Sequence, residues 1–307
     1  MNGIIPLYKP KGLTSHDCVH KIRKILHIKK VGHTGTLDPD VEGVLPICVG
    51  EATKIIPFLL TLPKEYKTEV ALGRTTTTED AAGEVLEEMP VGASFPTQKQ
   101  VEQVLHDHQG DITQIPPMYS AVKVKGKKLY EYAREGIEVE RPKRTITIHK
   151  ASLIQEKTRL AEGKFQCRIL CSKGTYIRTL CVTIGAALGY PAHMSQLTRT
   201  ISDGINLSET YTLEEITEKK QQNSLSDVFL PVSQGLQHLP TLQVDEAKKR
   251  KVLQGQKLAY SQDDNVKTTP FKIMHEEELL AVYEIHPTES GLIKPVRVFN
   301  LYKNEGE

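Results

Sequence analysis

Gly32-His33-Thr34-Gly35-Thr36-Leu37-Asp38-Pro39, running on through Gly43, Pro46 and Gly50, is the stretch on which the reading of this chain turns. Gly32 and Gly35 permit backbone angles closed to other residues, or the close approach of a ligand. Pro39 biases Asp38 away from the α region and so constrains the direction in which its carboxylate leaves the chain. The flat hydrophobic run Val44-Leu45-Pro46-Ile47-Cys48-Val49 follows and anchors the loop to a core. The pattern is a stiff loop presenting one acid and one imidazole. An isolated Leu-Asp-Pro reads more plainly as a tight turn with Asp38 as turn-former; here the whole stretch and its flanks favour chemistry.

Outward from this loop, residues 3–8 read as a short strand and Lys9-Pro10-Lys11-Gly12 as a turn with a basic corner. Thr14 with Asp17 resembles a capping box. Val19, Ile22, Ile25 and Leu26 recur at helical spacing behind it, and Lys29-Lys30 supply cations where a helix should end. Residues 51–60 open another helix, and 64–72 alternate as a strand with Tyr66 on one face. Gly73-Arg74, four threonines, Glu79 and Asp80 read as a polar loop. Thr97 with Gln100 caps a helix that Gly110 stops. Residues 110–150 read as an insertion with basic residues exposed. Phe165, Cys167, Ile169 and Cys171 alternate on one face of a strand, and the segment from Ser172 turns into a helix ended by Gly189. Thr212 with Glu215 forms a further capping box, and 219–235 is the best linker candidate. The Lys248-Lys249-Arg250-Lys251 run and three strands over 271–274, 279–286 and 292–302 make a small strand-rich terminal domain.

At 307 residues the chain is long enough for two domains and a sizeable core. The formal net charge of +2 is uninformative, but its distribution is not. Residues 1–34 carry seven Lys/Arg against one Asp, 75–115 one Lys against eight acids, and 121–150 nine Lys/Arg against four Glu. Two basic blocks separated by an acidic one suggest a positive face, if the fold unites them; ordinary solvated surface explains them equally well. The five cysteines form no C-x-x-C and several lie in apolar runs, which indicates reduced, buried thiols in a cytosolic protein. No apolar run approaches a membrane span and Met1 is followed by no signal-peptide pattern, so a soluble, cytoplasmic protein is expected.

Zinc spacing, a phosphate-binding loop, a dinucleotide fingerprint and a serine-hydrolase elbow are all missing from the sequence. A glycosidase would need two carboxylates across the scissile bond, whereas Asp40 and Glu42 are less constrained than Asp38. One acid singled out in this way points to a reaction served by one acid.

The stretch 32–54, with Lys9-Pro10-Lys11-Gly12, Lys64-Glu65-Tyr66-Lys67, the run from Ile115 to Tyr130 and Ser172-Lys173-Gly174-Thr175-Tyr176-Ile177-Arg178, closely resembles the bacterial tRNA pseudouridine synthase B family. The resemblance covers the whole chain and is weakest in the terminal strand-rich domain, which is similar to a PUA module. Asp40-Val41-Glu42 is more acidic than in many relatives, which adds negative charge near the RNA. The resemblance implies an α/β (α+β) fold. A mixed-sheet catalytic domain spans 1–235, with a thumb inserted at about 110–150, and a PUA-like RNA-binding domain spans 239–307. It implies a cofactor-free and metal-free isomerase acting on the T-arm of tRNA, with no membrane partner and as a monomer. Asp38 matches the essential aspartate, as nucleophile or base. The target uridine would be extruded from the T-loop, with His33 filling the vacancy. Tyr66 matches the tyrosine that stacks on the flipped base. Arg178 matches an arginine that pairs with the catalytic carboxylate and keeps it ionised. Tyr176 and Leu197 match pocket walls, although Leu197 also reads as plain core. Lys9, Lys11, Lys123, Lys125, Lys127 and Arg141 are phosphate-contact candidates on this basis.

Two rivals keep other classes open. A non-catalytic RNA binder or tRNA folding chaperone would use the same basic face with no need of Asp38. An acid-nucleophile enzyme acting on free nucleosides would show little dependence on salt.

Overall fold

A largely apolar, buried run at the amino terminus forms β1 (Gly3–Lys9), and Thr14 then starts α1 (Ser15–Leu26). This is a computed structural model describing residues 1–89, 96–260 and 266–301, without the side chains of 156–159 and 161. The Thr14 hydroxyl accepts the Asp17 N–H at 3.0 Å and the Asp17 carboxylate accepts the Thr14 N–H at 2.9 Å, so the capping box is formed. Cys18, Val19, Ile22 and Leu26 are its buried stripe. The helix ends at His27, in the left-handed region at φ 58, short of the Lys29-Lys30 pair; Arg23 and Lys24 supply the cations of its last turn.

β2 (Val31–His33) pairs antiparallel with the end of β3 (Glu42–Val49), His33 opposite Ile47. Residues 50–55 wind as a tight 3-10 turn into α2 (Ile56–Leu59), instead of starting a regular α-helix. β4 (Lys64–Leu72) is the strand its alternation marks. The expected polar loop is a ribbon, β5 (Arg74–Thr76) against β6 (Val85–Glu88), with Thr77, Thr78, Glu79 and Asp80 in its turn. α3 (Gln98–Asp107) carries the Thr97–Gln100 capping box.

β7 (Gly110–Gln114), the hairpin of β8 (Lys123–Val124) and β9 (Lys127–Lys128), α4 (Leu129–Arg134) and β10 (Arg144–Arg159) follow. β7 and β10 pair from Arg144↔Gln114 to Ile148↔Gly110 and so belong to the main sheet. The inserted segment is what lies between them, shorter at both ends than the basic composition suggests. Lys125 and Gly126 both take positive φ, 49 and 85, the two-residue turn that matches strand twist.

β11 (Lys164–Cys171), α5 (Ile177–Ala187), β12 (Ala192–Ser202) and β13 (Ile205–Asn206) come next. The strand order is β1-β3-β12-β4-β11-β10-β7, with β2 joined to β3 and β13 to β12. The sheet is mixed, because β12 runs parallel to β3 and antiparallel to β4.

After α6 (Leu213–Gln221), the linker expectation for 219–235 fails. Leu225, Val228 and Val232 are buried there, and Leu230 bridges Ile4 of β1. Proline and glycine punctuate packed turns in this segment, not free chain. β14 (Thr241–Gln243), α7 (Glu246–Leu253), β15 (Leu258–Ala259), β16 (Phe271–His275), β17 (Glu278–Ile285) and β18 (Leu292–Val298) build the terminal sheet, ordered β14-β16-β17-β18-β15. Its core holds Val252, Phe271, Ile273, Leu280 and Tyr283. The expected last strand ran to Tyr302, which lies outside the described residues.

Two compact units result. One comprises Met1–Asp38, Leu45–Leu60 and Asp203–Glu307; the other comprises Pro39–Val44 and Thr61–Ser202. Within the first, the Glu51 carboxylate accepts from Lys30 Nζ at 2.6 Å, Lys54 Nζ at 2.5 Å and the Asn300 N–H at 3.2 Å. Burial pushes this carboxyl up, but those donors outweigh it and hold the pKa at about 2 against an ordinary 4.5. A folded pKa below the unfolded one means stability that is present above the unfolded value and lost as pH falls through the folded one. Glu51→Gln is therefore expected to cost on the order of 2 kcal/mol at neutral pH and to flatten the acid limb. Urea midpoints measured from neutral pH down through that window check this; equal slopes for the two proteins contradict it.

Candidate active site

The Asp38 loop is held from both sides by side chains of the first unit. Ser15, the first residue of α1 and buried, places its hydroxyl against Leu37. Ser15 Oγ accepts the Leu37 N–H at 2.8 Å and donates to the Leu37 carbonyl at 3.2 Å. The fully buried Thr34 donates its hydroxyl to the Asp203 carboxylate, and its N–H to the Pro46 carbonyl at 3.3 Å. Asp203 can receive it because it turns the chain at φ 57 after β12. His33 Nδ1 accepts the Gly35 N–H at 3.2 Å, which leaves the proton of a neutral imidazole on Nε2. Asp38 itself is half-buried, between buried Leu37 and exposed Pro39.

Tyr66, Leu197, Tyr176 and Arg178 belong to the second unit. On β4, Tyr66 stands opposite Ile169 of β11 and Arg199 of β12, while Thr68 stands opposite Cys167 and Leu197. Paired residues point to one side of a sheet, so Tyr66, Thr68, Leu197 and Arg199 share a face. Thr68 Oγ1 lies 3.6 Å from Cys181 Sγ of α5, which identifies that face as the one α5 covers. Arg178, three positions before Cys181, is buried on the same side of α5. Tyr176 caps the helix, and the Gln114 side chain of β7 clamps its backbone: Oε1 accepts the Tyr176 N–H at 2.8 Å and Nε2 donates to its carbonyl at 3.0 Å.

Arg178 is gripped from two loops. Nη1 donates to the Thr78 carbonyl and Nη2 to the Tyr119 carbonyl, each at 2.9 Å, and Nε lies 3.9 Å from Asp80 Oδ2. Beside it, the Thr179 hydroxyl donates to Glu79, whose carboxyl is pushed up by burial despite that bond and the nearby Arg178 and Arg141. Arg199 is the largest fully buried side chain, and its Nε donates to the Val44 carbonyl at 2.7 Å. None of Ser15, Thr34, Asp203, Gln114, Thr78 or Tyr119 was singled out by sequence. Several act through backbone carbonyls or single hydroxyls, which leave no residue-type signature.

The basic candidates divide. Lys9 does not sit on an exposed corner: it is fully buried as the last residue of β1, its ammonium donating to the Pro10 carbonyl at 3.0 Å, and this is a correction to its reading as a surface phosphate contact. Lys11, Lys123 and Lys125 are exposed. Lys127 pairs with Glu135 and lies 4.9 Å above the Tyr132 ring. Arg141 Nη1 donates to the Pro116 carbonyl at 3.0 Å, tying together the two ends of the inserted segment. All five cysteines are buried and free; for Cys181 burial raises the thiol to about 12. Among the described residues, no group of three or more His, Cys, Asp or Glu could hold a metal ion, and no helix is long and apolar enough to cross a membrane.

Comparison with known proteins gives this geometry a family. Residues 23–177 match the TruB family pseudouridylate synthase N-terminal domain, and residues 178–237 match the tRNA pseudouridylate synthase B C-terminal domain. The tRNA pseudouridine synthase B of Oceanobacillus iheyensis is 53% identical, over 97% of this chain and 98% of its own. That of Bacillus cytotoxicus is 50% identical, over 97% of each. Among solved structures, a Cbf5-Nop10-Gar1 complex matches with a TM-score of 0.73 and 27% identity, over 96% of this chain and 84% of that one. An H/ACA RNP bound to a substrate RNA containing 2′-deoxyuridine matches at 0.71 and 25%, over 97% and 84%. By sequence along nearly its full length, and by fold, the chain belongs to the TruB family of pseudouridylate synthases.

Proposed function

We propose that this protein isomerises a uridine in the T-loop of tRNA to pseudouridine, with Asp38 as its essential catalytic group. What carries the reading is the near full-length likeness to proteins named tRNA pseudouridine synthase B; the pinning of Leu37, next to Asp38, supports the choice of that acid. The reaction breaks the bond from uracil N1 to ribose C1′ and forms one from C5 to C1′. The C5 proton is lost and N1 gains one, so no redox partner is needed. A single carboxylate serves such a step as nucleophile or base.

The target base is stacked in folded RNA and must be extruded. In this reading His33 fills the space it leaves, and Tyr66 offers a ring for the extruded base to stack on. Arg178 is the carboxylate's pairing partner in the same reading, and Tyr176 and Leu197 wall the base. The segment between β7 and β10 is the thumb that closes on the T-arm, and residues 239–307 are a PUA-like RNA-binding domain. The enzyme acts as a monomer in the cytoplasm. Incubation with a tRNA transcript and mapping of pseudouridine tests the proposal; an intact fold with no product contradicts it.

Lys11, Lys123 and Lys125 are the exposed phosphate-contact candidates. Neutralising about three phosphates predicts a roughly 30-fold loss of tRNA affinity between about 50 and about 200 mM salt. Lys123→Ala with Lys125→Ala should lower the slope of log K against log salt by about two. Filter binding across a salt series reads both, and a salt-independent affinity rules these contacts out.

A further inference from the structure

We propose that Ser15 is a positioning residue for Asp38, acting through the backbone of Leu37. The inference rests on Asp38 being the catalytic group. One buried hydroxyl accepts the Leu37 N–H and donates to the Leu37 carbonyl. Those two groups belong to different peptide planes. The N–H lies in the Thr36–Leu37 plane, and the carbonyl lies in the Leu37–Asp38 plane, which also contains the Asp38 nitrogen and Cα. A single side chain therefore fixes the planes on both sides of Leu37. Pro39 restricts ψ of Asp38 from the other side. What remains to aim the carboxylate is φ of Asp38 and its side-chain torsions.

Ser15 is itself well placed for this task. It is the first residue of α1, where the Thr14–Asp17 capping box fixes the start of the helix, and it is 1% exposed. No water competes for its hydroxyl at such burial. Without the hydroxyl, both polar groups of Leu37 would lose this partner in a buried setting, and the loop would turn to satisfy them elsewhere. Rotation of either peptide plane moves the Asp38 carboxylate relative to a bound uridine, and displacements of about 1 Å cost roughly 100-fold in rate. The Thr34–Asp203 bond anchors the far end of the same loop but fixes no plane next to Asp38.

The test compares four proteins at a temperature where each is folded: wild type, Ser15→Ala, Thr14→Ala and Asp38→Asn. Single-turnover pseudouridine formation at saturating protein is measured with tRNA Kd and Tm. Thr14→Ala removes the helix cap one residue away without touching Leu37, so it should lower Tm and leave the rate near wild type. Ser15→Ala is expected to slow the rate about 10- to 100-fold with Kd within about twofold of wild type. A Ser15→Ala rate equal to that of Thr14→Ala overturns the proposal, as does a loss confined to tRNA binding. Turnover retained by Asp38→Asn defeats instead the reading of Asp38 on which the proposal stands. Should Ser15→Ala not fold, Ser15→Cys decides: it keeps the shape but replaces the hydroxyl with a poor hydrogen-bonding group. A wild-type rate from Ser15→Cys overturns the proposal, and a slowed rate with unchanged Kd supports it.

Discussion

Asp38→Asn is expected to reduce single-turnover pseudouridine formation by at least about 1,000-fold, the scale on which catalytic acids, bases and nucleophiles contribute. Asparagine keeps the size and shape of the side chain. The loop it sits on is held by Ser15 and Thr34, neither of which bonds to the Asp38 side chain. The fold and the RNA-binding surface should therefore survive, with tRNA Kd within about threefold of wild type and the loss confined to the chemical step. The charge is what changes: an amide is neither a base nor a competent nucleophile. Binding and rate measured on one preparation separate the two effects. Retained turnover removes Asp38 from its role. Lost affinity together with a lowered Tm would mean that the carboxylate holds structure instead.

Gly43→Ala should be the most damaging single methyl in the motif. Gly43 has φ +117, and a Cβ built there would lie 2.2 Å from the Arg199 carbonyl oxygen and 2.8 Å from the Arg199 nitrogen. Both are backbone atoms of a strand that cannot retreat. Arg199 is paired with Gly43 on one side and with Tyr66 on the other, and its own side chain is committed to the Val44 carbonyl. The parallel step from β3 to β12 thus exists only because residue 43 has no side chain. A cost of at least about 3 kcal/mol is expected, read as a large fall in urea midpoint or a loss of soluble protein. Gly32→Ala is the control. Its Cβ would meet only the end of the Ile56 side chain, at 2.9 Å, which can rotate away. A Gly43 variant as stable as the Gly32 variant would contradict this account of the crossing.

The local rules were legible where one residue type does one job. The Thr14, Thr97 and Thr212 capping boxes are all formed. β4 and β11 sit where alternation places them. β12 was not legible, because register shifts between Met194 and Gln196 and between Arg199 and Ile201 break its alternation. The ribbon of β5 and β6 was hidden because β6 is exposed on both faces and has no apolar period to read. The 219–235 segment misled for the opposite reason: its glycine, Gly235, lies so close to β1 that a Cβ there would meet the Ile4 Cδ1 at 2.7 Å, where composition alone suggests a spacer.

For the candidate site, the family resemblance proposed Asp38, His33, Tyr66 and Arg178, but not what holds them. Ser15 reads as an ordinary residue after a cap until its hydroxyl is seen on Leu37. The grip on Arg178 comes from the carbonyls of Thr78 and Tyr119, groups every residue has. Charge counting placed Lys9 with the other lysines, yet as the last residue of β1 it is buried. Net charge over a block reports composition and not which way a side chain faces.

The most direct test is a crystal structure of the Asp38→Asn protein bound to a T-arm RNA. The expected result is a T-loop uridine turned out of its stack, with its glycosidic bond beside residue 38 and its ring against Tyr66. A uridine still stacked inside the loop, or an extruded base lying against some other acidic residue, would contradict the account.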